Sequence, residues 1–389
     1  MQEEIFNLLK LLIQTKTENP PGSEDALTDH ILEWLSPWDP QYKKIWLESG
    51  RSCLLLQLEG EREEYIGFVG HLDTVPAGNK ETWSYDPFEA KRIGTAVYGR
   101  GAADMKGGIA AMLFLYRYYR EQQKKPPYGI LFLFTADEEA QGKGIQALCK
   151  QKEVQQMKAM FVCEPTGNKL GIGEMGTLWL KFSIKGKGCH AAMSHLGVNA
   201  LEEGIYLIEK FKKERMKTCK THPMLGEESC SLTKISAGVK INIIPENAEI
   251  FLDIRTVPQE GKIDQRHDKI VKLAETVCKD QMKEKEGLTA SVTVLTNRPA
   301  IEMKPESAFV KNLQQLGKEA NRNLKVCAVR FFTDASIVLG KMEIPFVIFG
   351  PGNPEECHKA DEKNDLIQIE EAIELYKIFI EGMRKTRAF

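Results

Sequence analysis

The chain has 389 residues, of which 42% are hydrophobic and 28% charged, and its formal net charge is −2. These values describe an ordinary folded protein and exclude a disordered, fibrous or strongly basic nucleic-acid-binding one. The length favours two domains, and nine cysteines without paired C-x-x-C spacing point to reduced thiols rather than a disulfide framework.

Glu3 and Glu4 stand where a secretory signal would carry bases, and Asn7 and Lys10 interrupt the apolar stretch from Ile5 to Ile13. The segment therefore reads as a first helix of a cytoplasmic protein, and no apolar run approaches the roughly 18 residues of a membrane span. Asn19-Pro20-Pro21-Gly22 stops this helix, and Ser23 caps a second whose Leu27, Ile31 and Leu35 share a face. Apolar runs at Cys53 to Leu58 and Tyr65 to Val69 predict strands. They are followed by a helix from Gly108 to Tyr119, a strand at Ile130 to Phe134, a helix near Ile145 to Cys149 and a strand at Met160 to Val162. This alternation predicts an α/β architecture with a mostly parallel sheet covered by helices.

The pattern changes at Thr177, because Leu178 to Ile184 alternates apolar and polar residues, the mark of a half-exposed strand. Next come a helix around Ala200 to Lys212, strands at Cys230 to Ile235 and Glu249 to Ile254, a charged helix from Lys262 to Glu284 and a strand near Ser291 to Leu295. The basic run from Lys210 to Lys220 reads as a solvated helix face. A helix from Phe309 to Ala320 resumes the first style. The expectation is a smaller α+β domain at 178–293 inserted into a larger one made of 1–177 and 294–389.

Chemistry concentrates at the ends of the predicted parallel strands, where such sheets bind ligands. His71-Leu72-Asp73 follows one strand, Glu138 and Glu139 another, and Glu164 a third, while Asp104 lies in a glycine-rich turn and His358 near the C-terminus. Paired acids at a strand tip are expensive to desolvate without a counter-charge, so the set suggests a metal site. On an extended segment Asp73 would face the same side as His71 and could accept its second N–H; a capped turn is the plainer reading of His-x-Asp alone, and a helix cap that of Asp104. Cys163, Cys189 and Cys357 each precede one of Glu164, His190 and His358, which raises thiolate ligation, although neighbours on a strand face opposite sides. Gly171-Ile172-Gly173-Glu174-Met175-Gly176 is a literal G-x-G-x-x-G, but a strand-like run follows it where a dinucleotide site requires a helix.

The segments Gly70 to Pro76, Tyr98 to Gly108 and Thr135 to Glu139 resemble the M20 metallopeptidase family, which includes acetylornithine deacetylase, succinyl-diaminopimelate desuccinylase, aminoacylase and carboxypeptidase G2. The resemblance continues through Glu164-Pro165, Gly188 to Ala191, Asn242 to Pro245, Asp253 to Arg255 and Gly350 to Glu362. It implies that His71 and Glu164 bind one divalent cation and Glu139 and His358 another, with Asp104 bridging and a non-proline cis peptide after Asp104. Zinc is the expected ion, with cobalt or manganese as alternatives. Glu138 would be the general base, and the inserted domain would dimerise and present His190 to the partner copy's site. Asn242 and Arg255 would approach substrate, Arg255 through an α-carboxylate, although a surface salt bridge is the plainer reading of Arg255 without the motif; Arg330 is a candidate for an anionic acyl group, with a packed aromatic loop as the plainer explanation, and the role of His195 stays open. The implied activity is cleavage of a linear amide in an N-acyl amino acid, with a dipeptidase or carboxypeptidase as the alternative and a silent dimeric binding protein as the remote one. Gly176-Thr177-Leu178-Trp179 stands where dedicated desuccinylases carry an Arg-Arg pair, which counts against that strict specificity.

Overall fold

The computed structural model describes residues 1–260, 263 and 265–384. These divide into two compact units, one of Met1–Gly173, Glu302–Val329 and Thr333–Phe389, the other of Glu174–Ile301 with Arg330–Phe332. The second unit is wider at both ends than 178–293, because its strands Gly176–Lys185 and Thr289–Arg298 outrun the apolar cores that mark them in the sequence.

The first unit is built on a mixed sheet with a parallel centre. Strand Arg62–His71 runs parallel to Tyr128–Thr135 on one side and to Met157–Val162 on the other, and Phe346–Ile348 continues the parallel set. Every residue of Tyr128–Thr135 is buried, which explains its continuous apolar run. The edge departs from the parallel expectation: Gln41–Glu48 and Arg51–Leu58 form an antiparallel hairpin that adds to Tyr128–Thr135. Helices Gln2–Gln14, Gly107–Glu121 and Leu366–Gly382 share one core with the sheet, where Phe68, Phe132 and Phe161 stack and Tyr376 and Phe379 pack on them. The expected α/β class with helices covering a parallel sheet is thus the observed one.

The second unit has a four-stranded antiparallel sheet in the order Ser229–Ala237, Asn247–Thr256, Gly176–Lys185, Thr289–Arg298. Its buried side chains meet those of helices Ala200–Met216 and Gln265–Glu284 in a separate core. The predicted helix start at Lys262 lies outside the described residues. The G-x-G-x-x-G run spans strands Leu170–Glu174 and Gly176–Lys185 and opens no helix, so it offers no helix N-terminus to a pyrophosphate. Among the described residues, no helix is long and apolar enough to cross a membrane.

Candidate metal centre

The parallel strands of the first unit end together, and the loops beyond their carboxyl ends carry the ligand candidates. His71 is the last residue of its strand. Glu138 and Glu139 follow Tyr128–Thr135 after a turn at Asp137, whose φ is +67°, and Glu164 lies two residues past Met157–Val162. Two glycines let other segments close on this point, since a Cβ at Gly108 or Gly350 would fall 2.1 or 2.4 Å from the Cys163 carbonyl oxygen. Asp104 sits just before helix Gly107–Glu121, and the Asp104–Met105 peptide is cis.

Asp104 joins two histidines. Its Oδ1 is 2.9 Å from His71 Nε2 and its Oδ2 is 3.1 Å from His358 Nε2. His71 Nε2 also lies 3.4 Å from Glu164 Oε1, and His358 Nε2 lies 3.1 Å from Glu139 Oε1. Ligand atoms of His71, Asp104 and Glu139 fall within 4.8 Å of one another. His71 and Glu164 are buried, whereas the His358 ring is about half exposed, its side chain 51% accessible.

The electrostatics test whether this set suits cations. Among the described residues, no lysine or arginine pairs with Asp104, Glu139 or Glu164, so two imidazoles face three carboxylates. Burial pushes the Glu164 carboxyl well above the usual range, and burial with the Asp104 charge raises Glu139. Burial opposes a charged His71, yet the fields of Glu164 and Asp104 prevail and raise it well above its ordinary value. Hydrogen bonds to Asp104 and Glu139 push His358 up to about 11. An N/O donor set of two imidazoles and three carboxylates fits divalent cations.

Asp73 is placed differently from expectation. His71 Nδ1 meets the Asp73 backbone carbonyl at 2.8 Å, while the carboxylate is 3.8 Å away, too far for a hydrogen bond. The carboxylate instead accepts the backbone N–H groups of Glu138 and Glu139, each at 3.1 Å, and the Asn19 side-chain amide at 2.9 Å. Cysteine is absent from the ligand group: burial raises the Cys163 thiol, and burial with the nearby carboxylates raises Cys357, both disfavouring thiolate.

The remaining candidates belong to the second unit. His190 pairs with Ile243 across a short antiparallel ladder, which brings it beside Asn242, whose carbonyl accepts the Ala191 N–H at 3.0 Å. His190 is exposed and its Nδ1 accepts the Ala192 N–H. Arg255 is already engaged: it donates to both oxygens of Asp253 at 2.8 and 2.9 Å and to Thr177 Oγ1 at 2.8 Å, and lies over the Phe332 ring. The carboxylate two residues away on the same strand face fills the grip expected for substrate. Arg330 is exposed. Sequence reasoning assigned no role to Asn19, Arg51 or Glu362: Asn19 and Arg51 donate to the Asp137 carboxylate, and Glu362 accepts the backbone N–H groups of Ala103 and Asp104.

A probable succinyl-diaminopimelate desuccinylase of Staphylococcus aureus is 25% identical over 392 residues, covering 93% of this chain and 94% of that protein. Among solved structures, an M20 family metallo-carboxypeptidase from Sulfolobus solfataricus superposes with a TM-score of 0.79 at 16% identity, over 98% of this chain and 100% of that one. A dinuclear metal-binding peptidase from Bacillus subtilis does so at 0.70 and 16%, over 99% of each chain. Residues 67–382 match the model of peptidase family M20/M25/M40, so the chain belongs to that family of hydrolases.

Proposed function

We propose that the protein is a two-cation amidohydrolase that frees an amino acid from an N-acyl amino acid. The observation that carries this reading is the shared Asp104 carboxylate, one oxygen toward His71 and the other toward His358. On this reading His71 and Glu164 hold one cation, Glu139 and His358 the other, and Asp104 both, with zinc expected and cobalt or manganese as alternatives. Bound there, the ions supply Lewis acidity for the amide carbonyl and lower the pKa of water.

Glu138 takes the proton from the attacking water and delivers it to the departing amine nitrogen. Its backbone is pinned by Asp73, which limits where its carboxylate can travel. His190 supports an oxyanion: with Nδ1 accepting from Ala192, the neutral ring carries its proton on Nε2, a donor. Asn242, beside it, is the second polar group proposed for substrate. Arg255 would have to exchange an Asp253 oxygen for a substrate carboxylate, whereas exposed Arg330 meets an anionic acyl group without that exchange. The edge strand Ser229–Ala237 exposes Leu232 and Ile235, and Ile205 and Tyr206 are exposed on the neighbouring helix, which supports a homodimer formed through this unit.

The test is amine release by zinc- or cobalt-loaded protein from matched N-acetyl amino acids, N-succinyl amino acids and dipeptides. Preference for one N-acyl series is the expected result and identifies the acyl group. Preference for dipeptides moves the protein to the peptidase alternative, in keeping with the names of its solved structural neighbours, and silence across the panel with cations bound overturns the proposed chemistry.

A further inference from the structure

Two buried carboxylates that are not cation ligands are used in the same way. Asp73 accepts the successive N–H groups of Glu138 and Glu139. Glu362, fully buried, accepts those of Ala103 and Asp104 on Oε1 at 2.9 and 3.0 Å, while Oε2 takes the Arg100 guanidinium at 2.5 Å. Arg100 is itself buried, over the Trp83 ring. A buried carboxylate is tolerated when it is hydrogen-bonded, and more so when it is paired, and each of these accepts two successive backbone N–H groups of a segment that presents a ligand.

Glu362 also belongs to the segment that carries His358. Residues Lys363–Asp365 pair antiparallel with Ala96–Tyr98, Asn364 Nδ2 donates to the Ala102 carbonyl at 2.9 Å, and the Gly99 N–H donates to the Glu362 carbonyl at 2.8 Å. Asp361 is held by the Ser84 N–H and hydroxyl at 2.8 and 2.7 Å. The loops bearing Asp104 and His358 are therefore fastened to each other, and the Glu362 carboxylate is the tie that reaches the Asp104 amide.

We propose that Glu362 is a positioning residue for the cation pair: through the Ala103 and Asp104 amides it holds the Asp104 carboxylate between the two histidines. This rests on the reading that the cluster holds cations. Replacing Glu362 by Gln removes the charge that Arg100 faces and forces an NH2 group toward either Arg100 or the two backbone donors. Replacing Arg100 by Lys keeps the positive charge and loses the planar fork.

Chelator-stripped wild type, Glu362→Gln and Arg100→Lys are titrated with Co²⁺, following visible absorption and heat, with circular dichroism reporting the fold. Glu362→Gln is expected to fold normally, bind Co²⁺ about 10- to 100-fold more weakly and show a changed cobalt spectrum, with a smaller loss in Arg100→Lys. A brace that only stabilises the fold would leave affinity and spectrum of the folded variants at wild-type values, and that result overturns the proposal. If Glu362→Gln does not fold, the same two readouts in Arg100→Lys decide. Wild type that binds no Co²⁺ overturns the cation reading itself and the proposal with it.

Discussion

At Glu138 the strand has ended and the chain has turned through Asp137 at positive φ, so the two glutamates no longer alternate across a pleat. Glu139 reaches His358 and groups with His71 and Asp104, and on the proposed reading it is a ligand while Glu138 is the general base. That division of labour predicts opposite consequences of substitution. Glu138→Gln is expected to lower kcat by about 10²- to 10⁴-fold while metal analysis finds the wild-type cation content; a variant that keeps turnover would remove Glu138 from the proton path. The excess of acid at Asp104, Glu139 and Glu164 leads to a second expectation. Cations that bind only the folded chain add stability as RT ln(1 + [L]/Kd), about 4 kcal/mol at a thousandfold excess over Kd. A chelator should therefore lower the thermal midpoint and added Zn²⁺ or Co²⁺ restore it, and an unchanged midpoint would argue against occupied sites in the purified protein.

The turn after strand Tyr128–Thr135 depends on elements far from it in sequence. Arg51, on the strand Arg51–Leu58, donates to Glu24 at the start of helix Glu24–Leu35 and to Asp137 at 3.0 Å, and all three side chains are buried. Asn19 links Asp137 to Asp73, at 3.3 and 2.9 Å. Arg51→Ala would leave two buried acids without their cation, a change that costs about 3–5 kcal/mol. Chemical denaturation should register that loss, and a variant within 1 kcal/mol of wild type, about the worth of an exposed pair, would show the network to be dispensable. Such braces are invisible in the sequence: Glu362 and the amides it holds are 259 and 258 residues apart, and a buried charge leaves no pattern along the chain. The parallel strands and the long helices were legible because their apolar runs are continuous or periodic. Gln41–Glu48 was not, since an edge strand with mostly exposed side chains carries no such run, and Phe346–Ile348 is only three residues long. The convergence of His71, Asp104, Glu139, Glu164 and His358 was anticipated because each follows a recognisable motif. The interpretation of Asp73 missed because spacing gives the side a residue faces and not which of two acceptors, carboxylate or carbonyl, the imidazole chooses.

For the whole molecule, the second unit bears on how many copies make a working enzyme. In the second unit an edge strand leaves a row of unpaired backbone groups with apolar side chains beside it, a surface that a second copy can extend across a two-fold axis. Beyond that strand, Val239 and Ile241 are 89% and 100% exposed in the connection to Ile243–Ile244. If this unit brings two copies together and His190 of one serves the cation site of the other, then Glu138→Ala and His190→Ala damage different copies of one composite site. Each homodimer would be inactive. A heterodimer formed by refolding the two together would have one site lacking both groups and one site intact. Random reassortment makes half the dimers mixed, so the mixture should recover about a quarter of wild-type activity, with light scattering reporting dimers throughout. Recovery that depends on refolding the variants together, and is absent when they are mixed without exchange, is the expected result. No recovery from dimers that have exchanged would place His190 in its own chain's site or outside the reaction, and a monomer with full activity would remove the second copy from the mechanism altogether.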